Sequence, residues 1–175
     1  MQNKYYAGIG SRSTPKEVLD QMTDLASQLE KMGWWLRSGG AQGADLAFQR
    51  GVQENAQIWV PWPSFAADLQ CAYIEHQWFC PSSDDMEAFS SVDQFHPAPD
   101  KLSNAARLLM ARNYRQIVGQ GEPNSSFVIC WTENGLKKGG TAQAIKIAES
   151  LKIPVYNLFD LTPDEILSKI ASTHK

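Results

Sequence analysis

Three short stretches of small residues carry the chemistry open to this sequence. They are Gly8-Ile9-Gly10-Ser11-Arg12-Ser13, Ser38-Gly39-Gly40-Ala41-Gln42-Gly43 and Lys138-Gly139-Gly140-Thr141. Glycine lets a backbone approach an anion closely or take up positive φ. Ser11, Ser38 and Thr141 add hydroxyl donors, and Arg12 or Arg37 can supply charge. Where such a turn leads from a strand into a helix, the free amides and dipole of the helix N-terminus suit phosphate. A glycine after a strand is by itself often a plain turn residue. Three such turns on one sheet edge point further, to a phosphate-bearing ligand. Their spacing matches neither GxGxxG nor GxxxxGK[ST], which disfavours a standard NAD-dependent dehydrogenase or a P-loop NTPase.

Side chains outside the turns extend this picture. Asn113 lies four residues after Leu109 and four before Ile117, on the apolar stripe of a helix. A polar amide there needs a buried partner or faces a cavity. With Arg112 and Gln116 beside it, a ligand-facing patch is expected, against the ordinary alternative of a solvated helix face. Asp45 opens a helix, where a carboxylate either caps amides or accepts from a ribose hydroxyl or base amine. Trp59 and Trp62 flank a strand end; Trp59 reads as packing and Trp62 as the candidate for base stacking. Trp131 and Thr132 close another strand at the same edge. The expected ligand set is therefore Gly10, Ser11, Arg12, Ser38, Gly39, Gly40, Gly43, Asp45, Trp62, Arg112, Asn113, Thr132, Gly139, Gly140 and Thr141.

These residues need a scaffold, and the hydrophobic periodicity supplies one. Tyr5–Ile9, Trp34–Leu36, Ile58–Val60, Phe127–Trp131 and Ile153–Leu158 read as short buried strands. Between them Val18, Leu19, Met22, Leu25, Ala26 and Leu29 form one helical face, with Gly33 placed to end the helix in a left-handed turn. Thr14-Pro15-Lys16-Glu17 and Thr162-Pro163-Asp164-Glu165 both have the capping-box pattern. Further helices are expected from Asp45 to about Gln53, over Lys101–Gly119 and over Gly140–Leu151. Alternating strand and helix argue for an α/β, Rossmann-like three-layer fold, a mainly parallel sheet flanked by helices. Residues 1–175 read as one domain, with residues 61–100 an irregular excursion or a lid.

Composition sets outer limits. Sixteen basic and 19 acidic residues give a formal charge of −3, with no basic tract. Bulk attraction to a nucleic-acid backbone or an anionic membrane is thus not expected, and nucleic acid ranks low among partners. Cys71, Cys80 and Cys130 lack zinc spacing, and His76, His96 and His174 are scattered, so no metal and no cofactor is expected. No apolar run has signal-peptide or membrane-span length, which implies a cytoplasmic protein.

The stretches YAGIGSRSTP, LRSGGAQGAD, ARNYRQIVG and CWTENGLKKGGTAQAIKIAESLKIPVYNL together resemble the SLOG superfamily. That superfamily includes DNA-processing protein A (Smf/DprA-like) and the Lonely Guy phosphoribohydrolases. The likeness is greatest to small members, often phage-encoded, and covers nearly the whole chain, being weakest over residues 61–100. It implies a Rossmann-like fold that binds nucleotides or their derivatives, frequent homo-oligomers, and a host-cytoplasm setting if phage-encoded. Arg112 falls where the phosphoribohydrolases carry a catalytic arginine. Their GGxGTxxE motif, however, places a glutamate three residues after the threonine, and here Ala144 stands there. Three readings follow. The leading one is a protein that holds a nucleotide-derived molecule, such as a signalling nucleotide, without obligatory chemistry. The second is a hydrolase of an N-glycosidic or phosphoester bond, with Arg112 as electrostatic stabiliser. The third is a single-stranded-DNA binder of the DprA kind, which the acidic balance disfavours.

Overall fold

A computed structural model describes residues 3–174. The central strand is β1 (Lys4–Gly8), whose last four residues are buried. On one side it pairs with β2 (Trp34–Ser38), then β3 (Ala56–Trp59) and β4 (Gln77–Phe79); on the other with β5 (Val128–Cys130) and β6 (Val155–Asn157). The order is β4-β3-β2-β1-β5-β6 and every pairing is parallel. Parallel strands need crossovers, and seven helices among the described residues supply or follow them: α1 (Lys16–Lys31), α2 (Ala44–Gly51), α3 (Ala67–Ala72), α4 (Met86–Phe95), α5 (Asn104–Val118), α6 (Gly139–Ser150) and α7 (Pro163–Thr173). The chain order reverses between β1 and β5. In open parallel sheets such a switch point leaves a crevice beyond the strand C-termini.

Side-chain alternation along the strands divides the core into two layers. Tyr6, Leu36, Ile58 and Ile129 face α1, α2 and α7 through Met22, Leu25, Leu29, Phe48, Ile166 and Ile170. Ala7, Ile9, Val128 and Cys130 face the other way, onto Ile117 of α5 and Ala144, Ile145 and Ala148 of α6. The fold is therefore the three-layer, Rossmann-like α/β sandwich. No described helix is long and apolar enough to cross a membrane.

Two local details differ from the sequence reading. Thr162 caps α7 through the complete capping box with Glu165, but the equivalent at α1 does not form. Thr14 is spent elsewhere: its hydroxyl and its N–H both donate to the Ser11 carbonyl, closing the turn after β1. The stretch 61–100 also contains more order than expected, namely α3, the edge strand β4 and a 3-10 turn at Pro99–Lys101.

One buried ion pair locks this excursion to the body. Asp85 caps α4 by accepting from the Ala88 N–H at 3.1 Å. The same carboxylate takes two charge-assisted bonds from Arg115 of α5, at 2.8 Å from Nε and 2.5 Å from Nη2. Burial raises the Asp85 pKa, but the Arg115 bonds, the Ala88 N–H and the nearby charge outweigh it and hold the value low. A carboxyl depressed in the folded state adds stability above its unfolded pKa and loses it as pH falls through the folded value. Asp85→Asn keeps an N-cap but removes the charge. It should cost about 2 kcal/mol near neutral pH by urea denaturation. The deficit should shrink in acid, because only the wild type loses the contribution below about pH 4.

Candidate functional site

At the switch point the C-terminal sheet edge opens into a cleft of about 390 Å³, within the roughly 300–1,000 Å³ of small-molecule sites. Its walls come from three places. The turn after β1 contributes Ile9, Gly10, Ser11 and Arg12; the start of α6 contributes Lys138, Gly139, Gly140, Thr141 and Ala144; α5 contributes Leu109, Met110, Arg112, Asn113 and Gln116. Ala41, Asp45 and Phe65 complete the lining.

The floor is polar and tightly braced. Arg112, only 8% exposed, donates from Nη1 to the carbonyls of Gly39 and Trp59 and from Nε to Asn113 Oδ1. Its Nη1 also lies 3.6 Å from the Asp45 carboxylate, which accepts from the Ala41 N–H. Burial pushes the Asp45 carboxyl up, and the Arg112 charge and the backbone donors oppose it without cancelling it. The guanidinium is pulled down by the same burial and propped up by Asp45. The pair is thus an internal brace between α5 and the turn after β2. Among the described residues Arg112 Nη2 has no hydrogen-bond partner.

The mouth is cationic. Arg12 and Lys138 are exposed and form no ion pair with a described residue. Lys138 is the N-cap of α6, which has no side-chain cap, so the first amides of that helix stay available. An uncapped helix start beside two unpaired cations is an anion-accepting arrangement.

Nine residues of the expected ligand set line the cleft: Gly10, Ser11, Arg12, Asp45, Arg112, Asn113, Gly139, Gly140 and Thr141. Six stand behind it. Ser38 is fully buried and donates to the Gly8 carbonyl at 2.7 Å, tying β2 to β1. Gly39 is there because Arg112 fills the space a side chain would need: a Cβ would fall 1.7 Å from Nη1. Gly40 packs under Ile58 and Trp78. Gly43 (φ +87°) lets the second turn nest against the first, since a Cβ would sit 2.6 Å from Arg12 Cα. Thr132 is buried and bonded through its hydroxyl and N–H to Asn157, which locks β5 to β6.

Trp62 is also displaced from the lining. The Phe65 N–H donates to the Trp62 carbonyl, and this turn brings Phe65 over the cleft with Trp62 packed edge-on behind it at 5.3 Å. Phe65, Lys138 and Met110 were absent from the expected set. An aromatic three residues after Trp62, in a proline-bounded turn, is the signal that could have identified Phe65. Ala144 does line the cleft, so the position where the phosphoribohydrolase motif has its glutamate faces the site. Among the described residues, no group of three or more histidine, cysteine, aspartate or glutamate side chains is placed to hold a metal.

This arrangement defines a Rossmann-like protein with an anion-accepting cleft at its switch point. Comparison with solved structures finds the same fold in DNA processing protein A from Helicobacter pylori, described for its single-stranded DNA binding mode. That likeness has a TM-score of 0.61 at 19% identity over 89% of this chain. DNA processing protein A from Streptococcus pneumoniae aligns with a TM-score of 0.44 at 15% identity over 95% of this chain. The chain spans 65% and 61% of the lengths of those two proteins. No family model and no curated protein sequence matches the chain.

The expectation that ranked nucleic acid low among partners is corrected by this finding. A protein of the same fold binds single-stranded DNA. A net charge of −3 averaged over the chain therefore does not decide the matter. The local balance is what a strand would meet, and at the mouth it is set by Arg12 and Lys138.

Proposed function

We propose that the chain is a nucleotide-binding unit whose cleft seats one phosphate-bearing nucleotide, presented as part of single-stranded DNA. The observation that carries this is the cleft mouth. Two unpaired cations, an uncapped helix start and an aromatic ring line the same cleft. Single-strand binders combine these two elements, a cationic track for the backbone and an aromatic face for a base. In this reading Arg12, Lys138 and the amides of Gly140 and Thr141 take the phosphate, and Phe65 lies against the base. Arg112 Nη2 and Asn113 reach the sugar or base from the floor.

A second reading, a free nucleotide-derived molecule held without a strand, is favoured by the cleft volume, which suits a single nucleotide. In both readings the cleft holds its ligand rather than cutting it. Asp45 is the acidic side chain in the lining, and it is committed to Arg112.

The two readings separate in a salt titration. Affinity for an oligothymidylate of about ten nucleotides should exceed that for thymidine 5′-monophosphate and fall steeply with salt. Each phosphate neutralised on a single strand contributes about 0.7 to the slope of log affinity on log salt. Equal affinity for the two ligands would favour the free-nucleotide reading. Binding of neither would remove both.

A further inference from the structure

Beside the cleft, on the far side of Gly139 and Met110, is a second hollow of about 210 Å³. Those two residues line both cavities, so the hollows share a wall. Its three titratable lining side chains, His96, Lys137 and Lys146, are all basic. Lys137 reaches Glu149, whereas Lys146 is exposed and makes no ion pair with a described residue. The Ala98 N–H donates to His96 Nδ1, which leaves Nε2 as the donor nitrogen of the neutral ring.

An independent feature points to a ligand here. Gln143 lines the hollow and is 97% buried, being 3% exposed. Asn113 Nδ2 fixes its Oε1 at 3.3 Å, yet Gln143 Nε2 has no hydrogen-bond partner. A buried donor left unpaired is costly, and this one belongs to a residue in the wall of the hollow. Asn113, which holds this amide in place, is itself part of the first cleft wall. Gly139 forms the saddle between the cavities, and nothing lies within 4 Å of where its side chain would be.

We propose that this hollow is a second phosphate subsite, which takes the backbone phosphate adjoining the nucleotide seated in the first cleft. The inference rests on the single-strand reading above. A strand that leaves the Arg12–Lys138 mouth over Gly139 comes next to the hollow lined by Lys146, His96 and Gln143. The cleft then binds one nucleotide, and the hollow gives preference for a chain over a monomer.

The test compares thymidine 5′-monophosphate with the dinucleotide pTpT and a longer oligothymidylate, on the wild type, Lys146→Ala and Lys146→Glu. Lys146 is exposed and unpaired, so both variants should fold as the wild type does. The wild type should bind pTpT about tenfold more tightly than the monophosphate. Lys146→Ala should erase most of that gain and lower the salt slope by about 0.7, with monophosphate affinity unchanged. Lys146→Glu should reverse the preference. Unchanged pTpT affinity in both variants would overturn the subsite, as would an equal loss for monophosphate and dinucleotide. If the wild type binds the monophosphate but gains nothing from a second phosphate, the subsite is wrong and the free-nucleotide reading of the cleft stands. Binding of no nucleotide at all would overturn the cleft reading and the subsite with it.

Discussion

Replacing Arg112 with alanine should lower the unfolding free energy by about 3–5 kcal/mol and abolish nucleotide binding at the cleft. The magnitude follows from what the side chain holds. Its guanidinium ties α5 to the carbonyls of Gly39 and Trp59 and faces the buried Asp45 carboxylate. Removing it orphans two carbonyl interactions and leaves a charge 4% exposed without its counter-ion. The pH dependence carries a further signature. Burial already pushes the Asp45 pKa up, and loss of Arg112 removes the main force opposing that rise. A carboxyl raised in the folded state binds its proton before the unfolded chain does. The deficit of the variant should therefore shrink as pH falls through the raised value. The Asp85→Asn deficit also shrinks in acid, but there the wild type loses stability, whereas here the variant regains it, so the two carboxyls are told apart by which curve moves. Arg112→Lys keeps the charge but not the planar fork, and should fall between wild type and alanine.

The second large effect is on binding with little effect on stability. The double variant Arg12→Glu with Lys138→Glu reverses both unpaired charges at the mouth. It should weaken oligothymidylate binding by at least about 100-fold and flatten the salt slope by about 1.4. Neither side chain has an ion-pair partner among the described residues, so stability should stay within about 0.5 kcal/mol of wild type. Fluorescence anisotropy across a salt series and a urea curve on the same sample measure both. A large loss of stability would mean that these cations brace the turns rather than face a ligand.

Much of this architecture was legible in the sequence, for identifiable reasons. β1, β2 and β5 are buried on both faces and read as continuous apolar runs, and the long periodic face of α1 has one interpretation. The edge strand β4 was missed because Gln77-Trp78-Phe79 is three residues long and half exposed, so it lacks the pattern of a buried strand. The glycine turns were legible as a group, but not in their separate duties. Gly39 is required by an arginine 73 positions later in the chain, and no local pattern announces that. The same holds for Asp45 with Arg112 and for Asp85 with Arg115, pairs made by helices that meet only in the folded chain. Arg115 is one turn from the cleft residues, yet it is wholly structural. Charge misled for a related reason: the sum over 175 residues hides the fact that the mouth carries two cations with no acidic partner.

In the proposed complex a nucleotide sits between the turn after β1 and the start of α6. Amide chemical-shift mapping tests this most directly, because the cleft is marked by glycines whose signals fall in their own spectral region. Titration of the labelled protein with oligothymidylate at low salt should shift Gly10, Gly139 and Gly140, with Arg12 and Thr141. Gly33 and Gly121, which lie outside the cleft lining, should stay fixed. Shifts confined to another face, or no shifts with either the oligonucleotide or thymidine 5′-monophosphate, would contradict the account.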